Sequence, residues 1–146
     1  MDIKLKLGID ELVFGMKQGN VEAKYGNSDR KFKDDEENSI HLYNNKKLRL
    51  TFYEEEDMRL GYIISSNPEL ELFSSKVIGK SWEEVKELAK KNGITSFEKE
   101  SFDSVDNYFN EDNWIIFQVE FDEVIRVELG ATINEKTDEF DWKFKG

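Results

Sequence analysis

The sequence contains no cysteine, one proline and one histidine among its 146 residues. Without cysteine the chain cannot form disulfide bonds or thiolate metal sites, and it has no thiol nucleophile. A single histidine, His41, also excludes metal sites built from several imidazoles. The lack of cysteine suits a reducing compartment, and no apolar run reaches the length of a secretory signal or a membrane span. We therefore predict a cytoplasmic location.

Several chemistry-bearing motifs are also missing. The sequence has no glycine-rich dinucleotide motif, no phosphate-binding loop and no nucleophile elbow. The stretch from Asp103 to Asp112 is rich in acids but lacks the regular spacing and central glycine of a calcium loop. His41 lies between Ile40 and Leu42, which favours a surface or hydrogen-bonded strand histidine over a catalytic one. We predict that the protein is not an enzyme and holds neither a cofactor nor a metal.

Hydrophobic residues are present in ordinary amounts, at 38%, and eleven of the residues are phenylalanine. A chain of this length buries about two-thirds of its unfolded surface when it folds, so no covalent cross-link is needed. The length is that of one ordinary domain. We predict a single domain over residues 1–146.

The net charge of −11 is distributed unevenly along the chain. Residues 98–146 contain fourteen acids and five bases, which gives −9, whereas residues 1–97 contain eighteen acids and sixteen bases, which gives −2. Such a surface repels nucleic acid and anionic membranes. One interpretation is that the acids only maintain solubility. The other is that they form a face for a basic protein partner.

Hydrophobic periodicity predicts a clear helix and two groups of strands. Ser81 and Glu84 have the spacing of a capping box, and the apolar stripe that follows predicts a helix over residues 81–91. Alternating residues predict strands over 40–43, 48–53 and 58–64, and again over 104–108, 114–121 and 124–133. A shorter helix is predicted from Asn20 to Gly26, and residues 27–38 are predicted to form a loop.

The two groups of strands resemble each other after a shift of 65 residues. The shift places Tyr43 on Tyr108 and Phe52 on Phe117. The matching order and spacing predict internal repeats over residues 15–70 and 79–133. The predicted fold class is α+β, with two helix-plus-antiparallel-meander repeats and the helices packed on an antiparallel sheet.

Residues 77–85, Val-Ile-Gly-Lys-Ser-Trp-Glu-Glu-Val, follow the strand sequence Arg-Leu-Gly-Tyr-Ile-Ile of residues 59–64. This pattern resembles small bacterial immunity proteins of polymorphic-toxin systems. The repeat plan looks like the fold of β-lactamase inhibitor protein. The first unit departs from the pattern because Lys17 stands where a serine or threonine usually caps the helix. The resemblance implies a cytoplasmic inhibitor that neutralises a basic toxin domain, such as a nuclease.

Aromatic and acidic residues occur together in the last third of the chain, and we predict that they form the partner-binding site. The predicted residues are Asp103, Asp106, Tyr108, Glu111, Asp112, Trp114, Asp138, Glu139 and Asp141. The alternative for the two tryptophans Trp114 and Trp142 is that they face the core. Most phenylalanines, including Phe121, are predicted to lie in the core. The alternative function is a regulatory or structural module that holds a small apolar ligand between helix and sheet, and a carboxylate-based hydrolase is a third possibility.

Overall fold

A computed structural model describes residues 1–145, and one large antiparallel sheet dominates it. In chain order the elements are β1 (Ile3–Lys4), β2 (Gly8–Ile9), β3 (Leu12–Val13), α1 (Gln18–Tyr25), β4 (Arg30–Lys33), β5 (Ser39–Tyr43), β6 (Leu48–Tyr53), β7 (Arg59–Ser65), β8 (Glu71–Leu72), β9 (Ser75–Lys76), α2 (Trp82–Lys91), β10 (Glu98–Phe102), β11 (Val105–Asn110), β12 (Ile115–Glu120), β13 (Glu123–Gly130), β14 (Ile133–Asn134) and β15 (Glu139–Phe140). Short 3-10 helices follow β5 at Asn44–Lys46 and β6 at Glu54–Glu56. The large sheet has eight strands in the order β10-β11-β12-β13-β7-β6-β5-β4.

The eight strands consist of a first half, β4 to β7, and a second half, β10 to β13, joined by one antiparallel pairing. Strand β13 pairs with β7 in a register that places Leu129 opposite Ile63 and Glu128 opposite Ile64. This pairing satisfies the backbone groups that two separate sheets would leave at their inner edges. The sheet therefore continues without interruption from β10 to β4.

The predicted fold class of two helix-plus-meander repeats is wrong. The chain is mostly strand, its two α-helices are short, and the strands form one eight-stranded sheet. Each half contains four strands, because β4 and β10 each add an outer strand that the sequence did not reveal. The predicted repeat boundaries, residues 15–70 and 79–133, stay a prediction.

The two missed strands lie at the edges of the sheet, where little side-chain surface is buried. All five residues of β10 are exposed, and three of the four residues of β4 are exposed. A strand that buries neither face has no apolar alternation, so residues 27–38 looked like a loop. Alternating charges such as those of Glu98, Lys99 and Glu100 are typical of edge strands, where they discourage pairing with another chain.

The core lies on one face of the sheet, and α2 packs on it. Ser81 caps this helix by accepting a hydrogen bond from the backbone of Glu84 at 3.2 Å. The helix residues Trp82, Val85 and Ala89 are buried against the core. The predicted second helix is therefore confirmed, with its apolar stripe on the core face.

The other parts of the chain cover the same face of the first half. Helix α1 buries only Val21, and Asn20 accepts a hydrogen bond from the Lys17 backbone instead of acting as the cap. The three short strands at the N-terminus contribute Ile3, Ile9 and Leu12 to the core, and Phe14 follows them into it. No helix among residues 1–145 is both long enough and apolar enough to cross a membrane.

Candidate functional site

The opposite face of the sheet, which we call the outer face, points away from the core and the helices. Cross-strand register determines which residues lie on it. Phe109 lies opposite Ile116, Ile116 opposite Glu128, and Glu128 opposite Ile64. These side chains form a continuous row across β11, β12, β13 and β7, with Tyr62 in the next row.

The outer face carries a groove lined by aromatic and aliphatic side chains. We call it the aromatic groove, and its volume is about 460 Å³. The lining residues are Tyr53, Tyr62, Glu98, Lys99, Glu100, Asn107, Phe109, Trp114 and Ile116. Phe109 and Trp114 meet edge to face with their ring centroids 5.0 Å apart. All five apolar members are half-buried, so a partner can reach them without unfolding the sheet.

Two of these aromatic rings lie directly over glycines of the neighbouring strands. A Cβ atom added to Gly130 would come within 2.2 Å of Trp114 Cδ1, and one added to Gly61 would come within 2.0 Å of Tyr53 Cε2. Because glycine has no side chain, Gly61 and Gly130 leave the space that the two rings occupy. The rings are therefore held in place before any partner arrives.

A partly buried hydrogen bond fixes the third aromatic ring of the groove. The Tyr62 hydroxyl donates to Glu128 Oε1. Burial, together with this bond and the charge of Glu128, raises the pKa of Tyr62 above its usual range. Burial, with a further effect from Glu36, raises the pKa of Tyr53 to about 12. Both phenols are neutral hydrogen-bonding groups at physiological pH.

A second groove, which we call the acidic groove, adjoins the first at Trp114. Its volume is about 870 Å³. It is lined by five carboxylates, two lysines and three other residues: Lys6, Glu111, Asp112, Trp114, Thr132, Ile133, Glu135, Asp138, Asp141 and Lys143. Lys143 donates to Asp141 at 2.6 Å, and this bond holds the pKa of Asp141 below its usual range. The other four carboxylates are fully exposed.

The structure brings five of the nine predicted site residues to the acidic groove. Glu111, Asp112 and Trp114 come from the turn between β11 and β12, and Asp138 and Asp141 come from the segment around β15. These two segments are more than twenty residues apart in the sequence, so the sequence does not show that they are neighbours. The Asp141 backbone donates to the carbonyl of Thr132, which holds the C-terminal segment beside the sheet.

The other four predicted residues lie elsewhere. Tyr108 points toward the core face, where its ring stacks on Trp82 with centroids 4.2 Å apart. Asp106 accepts a hydrogen bond from Ser101 and lies 3.9 Å from the Lys99 ammonium. Asp103 occupies the turn at the other end of β11, and Glu139 is exposed on β15. Trp142 packs against the core, which was the alternative stated for both tryptophans. Trp114 does not follow that alternative and lies on the outer face.

Simple alternation along the predicted strand 58–64 would put Tyr62 and Ile64 on the same face as Leu60, but the structure places both on the outer face. Leu60 is buried in the core, but the register between β6 and β7 shifts near Thr51 and Phe52. This irregularity, or β-bulge, reverses the faces of the residues that follow it. Gly61 within an apolar strand was the signal that could have revealed the bulge.

His41 is fully buried on the core face beside Phe52, and its Nε2 lies 3.1 Å from Ser39 Oγ. Its side chain lines neither groove. Of the two predicted alternatives, the hydrogen-bonded strand histidine is the one observed, and the surface position is not. Within residues 1–145, no three His, Cys, Asp or Glu side chains are grouped so as to hold a metal ion.

Comparison with known proteins identifies the fold alone. No protein-family model and no curated protein matches the sequence. The structure is similar to an extracellular protein containing a SCP domain from Bacillus anthracis, with 16% identity, a TM-score of 0.53 and 92% of this chain covered. The chain spans 51% of that protein's length. It is also similar to the DUF4309 family protein YjgB from Bacillus subtilis, with 17% identity, a TM-score of 0.53, and 85% of this chain and 84% of that one covered.

Proposed function

We propose that this chain is a non-catalytic inhibitor of the immunity-protein type, which binds a basic toxin domain through the two grooves that meet at Trp114. The observation that carries this proposal is that the two grooves share a wall. Trp114 lines both the preorganised aromatic groove and the groove lined by five carboxylates. A partner that carries an apolar side chain beside a basic patch could place the side chain in the aromatic groove and the basic patch over the acidic groove.

The aromatic groove has the properties of a binding hot spot. Tryptophan and tyrosine side chains contribute a large share of the energy in protein interfaces, above all near their centres. The rings over Gly61 and Gly130 and the Tyr62–Glu128 hydrogen bond already fix the side chains. Binding therefore costs little side-chain entropy, and more of the contact energy appears as affinity.

The acidic groove supplies the electrostatic part of recognition. Exposed carboxylates such as Glu111, Asp112 and Asp138 keep their hydration, so they attract a basic partner from a distance and fix its orientation. Toxin domains that act on nucleic acid need basic surfaces for their phosphate-rich substrate. An acidic inhibitor that covers such a surface would exclude the substrate. The cytoplasm is where such an inhibitor would protect the cell, and the absence of cysteine suits that compartment.

The alternative of an apolar ligand held between helix and sheet has less support. The space between α2 and the second half of the sheet is filled by Trp82, Phe97, Tyr108 and Phe117. The ring centroids of these neighbours lie 4.2 to 5.6 Å from that of Trp82. A ligand would have to displace a packed aromatic cluster.

The test measures binding of the protein encoded by the adjacent gene, which this proposal expects to contain a toxin domain, by calorimetry and stopped-flow at low and high salt. Trp114→Ala should weaken binding by about 2 kcal/mol, or roughly 30-fold, mainly through faster dissociation. The double reversal Glu111→Lys/Asp112→Lys should slow association and remove most of its salt dependence, because exposed charges act on the rate of encounter.

A matched control reverses two exposed acids elsewhere on the chain. Asp35→Lys/Glu87→Lys makes the same change in net charge on the β4–β5 loop and on α2, and neither residue lines either groove. If this control slows association as much as the Glu111 and Asp112 reversal does, the grooves have no special role. Failure of the wild-type chain to bind the domain would refute the proposed function.

A further inference from the structure

Phe121 is the most exposed large hydrophobic residue among those described. Its side chain is 87% exposed, and that of Phe102 is 53% exposed. The sequence predicted Phe121 in the core, and the structure contradicts that prediction. A single exposed hydrophobic residue is ordinary on a protein surface, so Phe121 is informative only together with the neighbouring Phe102 and with its backbone conformation.

Phe102 and Phe121 lie at the same end of the second half of the sheet. Phe102 pairs with Val105, Val105 pairs with Glu120, and Glu120 pairs with Glu123 across a two-residue turn. The Ser104 hydroxyl also donates to Glu120 at 2.9 Å and ties the two turns together. We call residues 102–104 and 120–123 the hairpin tip. It lies at the opposite end of β11 and β12 from Trp114.

The backbone at Phe121 is unfavourable for a bulky residue. Phe121 and Asp122 have φ angles of +49° and +66°. Two-residue hairpin turns of this kind require positive φ at both central positions, where glycine, asparagine and aspartate are preferred. A phenylalanine at this position adds strain while burying almost nothing.

A second turn in the same chain provides a natural comparison. The β8–β9 turn has Phe73 and Ser74 at φ +50° and +66°, nearly the same conformation. Phe73, however, is half-buried and packs against the core. Packing of the Phe73 side chain thus compensates for its strained backbone. The Phe121 side chain makes no such compensation, because it is exposed.

The hairpin tip is held rigidly by its surroundings. The Asp122 carbonyl accepts a hydrogen bond from the Trp82 backbone at 3.0 Å, and Ser81 forms a bridge with Glu123. The tip is therefore anchored to the first turn of α2. A rigid projecting side chain loses little entropy when it enters a pocket.

Carboxylates surround the two phenylalanines. Asp103, Glu120, Asp122 and Glu123 belong to the tip, and the sequence from residue 100 to residue 125 contains no lysine or arginine. The charge would repel a second copy of this chain, nucleic acid and anionic membranes. The exposed phenylalanines and the negative charge of the hairpin tip together complement an apolar pocket bordered by basic side chains.

We propose that the hairpin tip is a second docking element, which inserts Phe121 into an apolar pocket of the basic partner protein. This inference rests on the proposed function, because the partner is the same. The tip and Trp114 are separated by the length of a six-residue strand, roughly 20 Å. A single interface of ordinary size can span that distance.

The test replaces each turn phenylalanine by glycine and measures stability and binding separately. Phe121→Gly should leave the melting temperature unchanged or raise it, because glycine relieves the positive φ, and should weaken binding of the neighbouring toxin domain at least tenfold. Phe73→Gly should lower the melting temperature, because packing is lost, and should leave affinity unchanged.

The outcomes separate this inference from the proposed function. If Trp114→Ala weakens binding but Phe121→Gly does not, the tip has no docking role and the groove proposal stands. If the wild-type chain does not bind, both fail. If sedimentation shows self-association that Phe121→Gly abolishes, the tip is a contact between copies and the inference is overturned.

Discussion

The two halves of the sheet use the same packing arrangement in different surroundings. In the first half Tyr53 lies over Gly61, and in the second half Trp114 lies over Gly130. Tyr53 is also covered by Phe140, with ring centroids 5.6 Å apart, whereas the turn preceding Trp114 exposes Glu111 and Asp112. The comparison shows that a glycine opposite an aromatic ring determines the ring's position, while the neighbouring segments determine which side chains lie beside it.

The helices of the two halves differ more strongly than the sheets. Helix α2 has a serine cap and buries Trp82, Val85 and Ala89, whereas α1 buries only Val21. A helix that covers more apolar surface contributes more to stability. The second half should therefore depend on its helix more than the first half does.

The largest expected effect comes from removing the helix anchor of the second half. Trp82→Ala should lower the free energy of unfolding by about 3–5 kcal/mol, because Phe97, Tyr108 and Phe117 lose their common neighbour. Val21→Ala in α1 should cost roughly 2 kcal/mol, from two buried methyl groups. Urea denaturation of both variants measures the difference, and equal losses would mean that the two helices contribute alike.

A smaller effect is expected from filling the space under the two rings. Gly130→Ala and Gly61→Ala should each cost about 1–3 kcal/mol, because the aromatic ring must leave its position. Only Gly130→Ala should also change the Trp114 fluorescence, whereas both variants should weaken partner binding, because both rings line the aromatic groove. Gly19→Ala is the control, since a Cβ there meets open space within α1 and should stabilise the chain by about 0.5–1 kcal/mol.

The smallest expected effect is the dependence of folding stability on pH. It arises in the first half, which contains the single histidine, His41. Burial, with a further effect from Lys31, lowers the pKa of His41 in the folded state, and Glu22 opposes this shift. The unfolded chain then binds the proton more readily, so stability should fall as the pH drops below about 6.5 toward the folded pKa. Denaturation between pH 7 and pH 5 should show this slope.

A histidine replacement tests whether His41 causes that slope. His41→Asn should lower stability overall, because the core packing changes, but should flatten the dependence on pH above pH 5. The carboxylates whose pKa values are lowered, such as those of Asp57 and Asp141, titrate in more acidic solution. A slope that persists in the variant would assign the effect to another group.

The candidate site shows where reasoning from sequence succeeds and where it fails. The acidic excess after residue 98 directed attention to Glu111, Asp112 and Trp114, which the structure brings to one groove, because charge can be counted without coordinates. Tyr108 was misplaced because alternation cannot show which face of a strand a helix will cover. Phe121 was misplaced because hydrophobicity alone predicts burial, while a two-residue turn holds this side chain in solvent.

The sequence by itself determined the elements whose signals are local. The cap and stripe of α2, the alternation of β5, β6 and β12, and the acidic balance of the last third all follow from neighbouring residues. The tertiary structure alone decided the rest. Pairing of β7 with β13 merged the strands into one sheet, exposed edge strands joined it through backbone hydrogen bonds, and a bulge in β7 moved Tyr62 to the outer face. These features depend on contacts between distant residues, so hydrophobic periodicity along the chain cannot encode them.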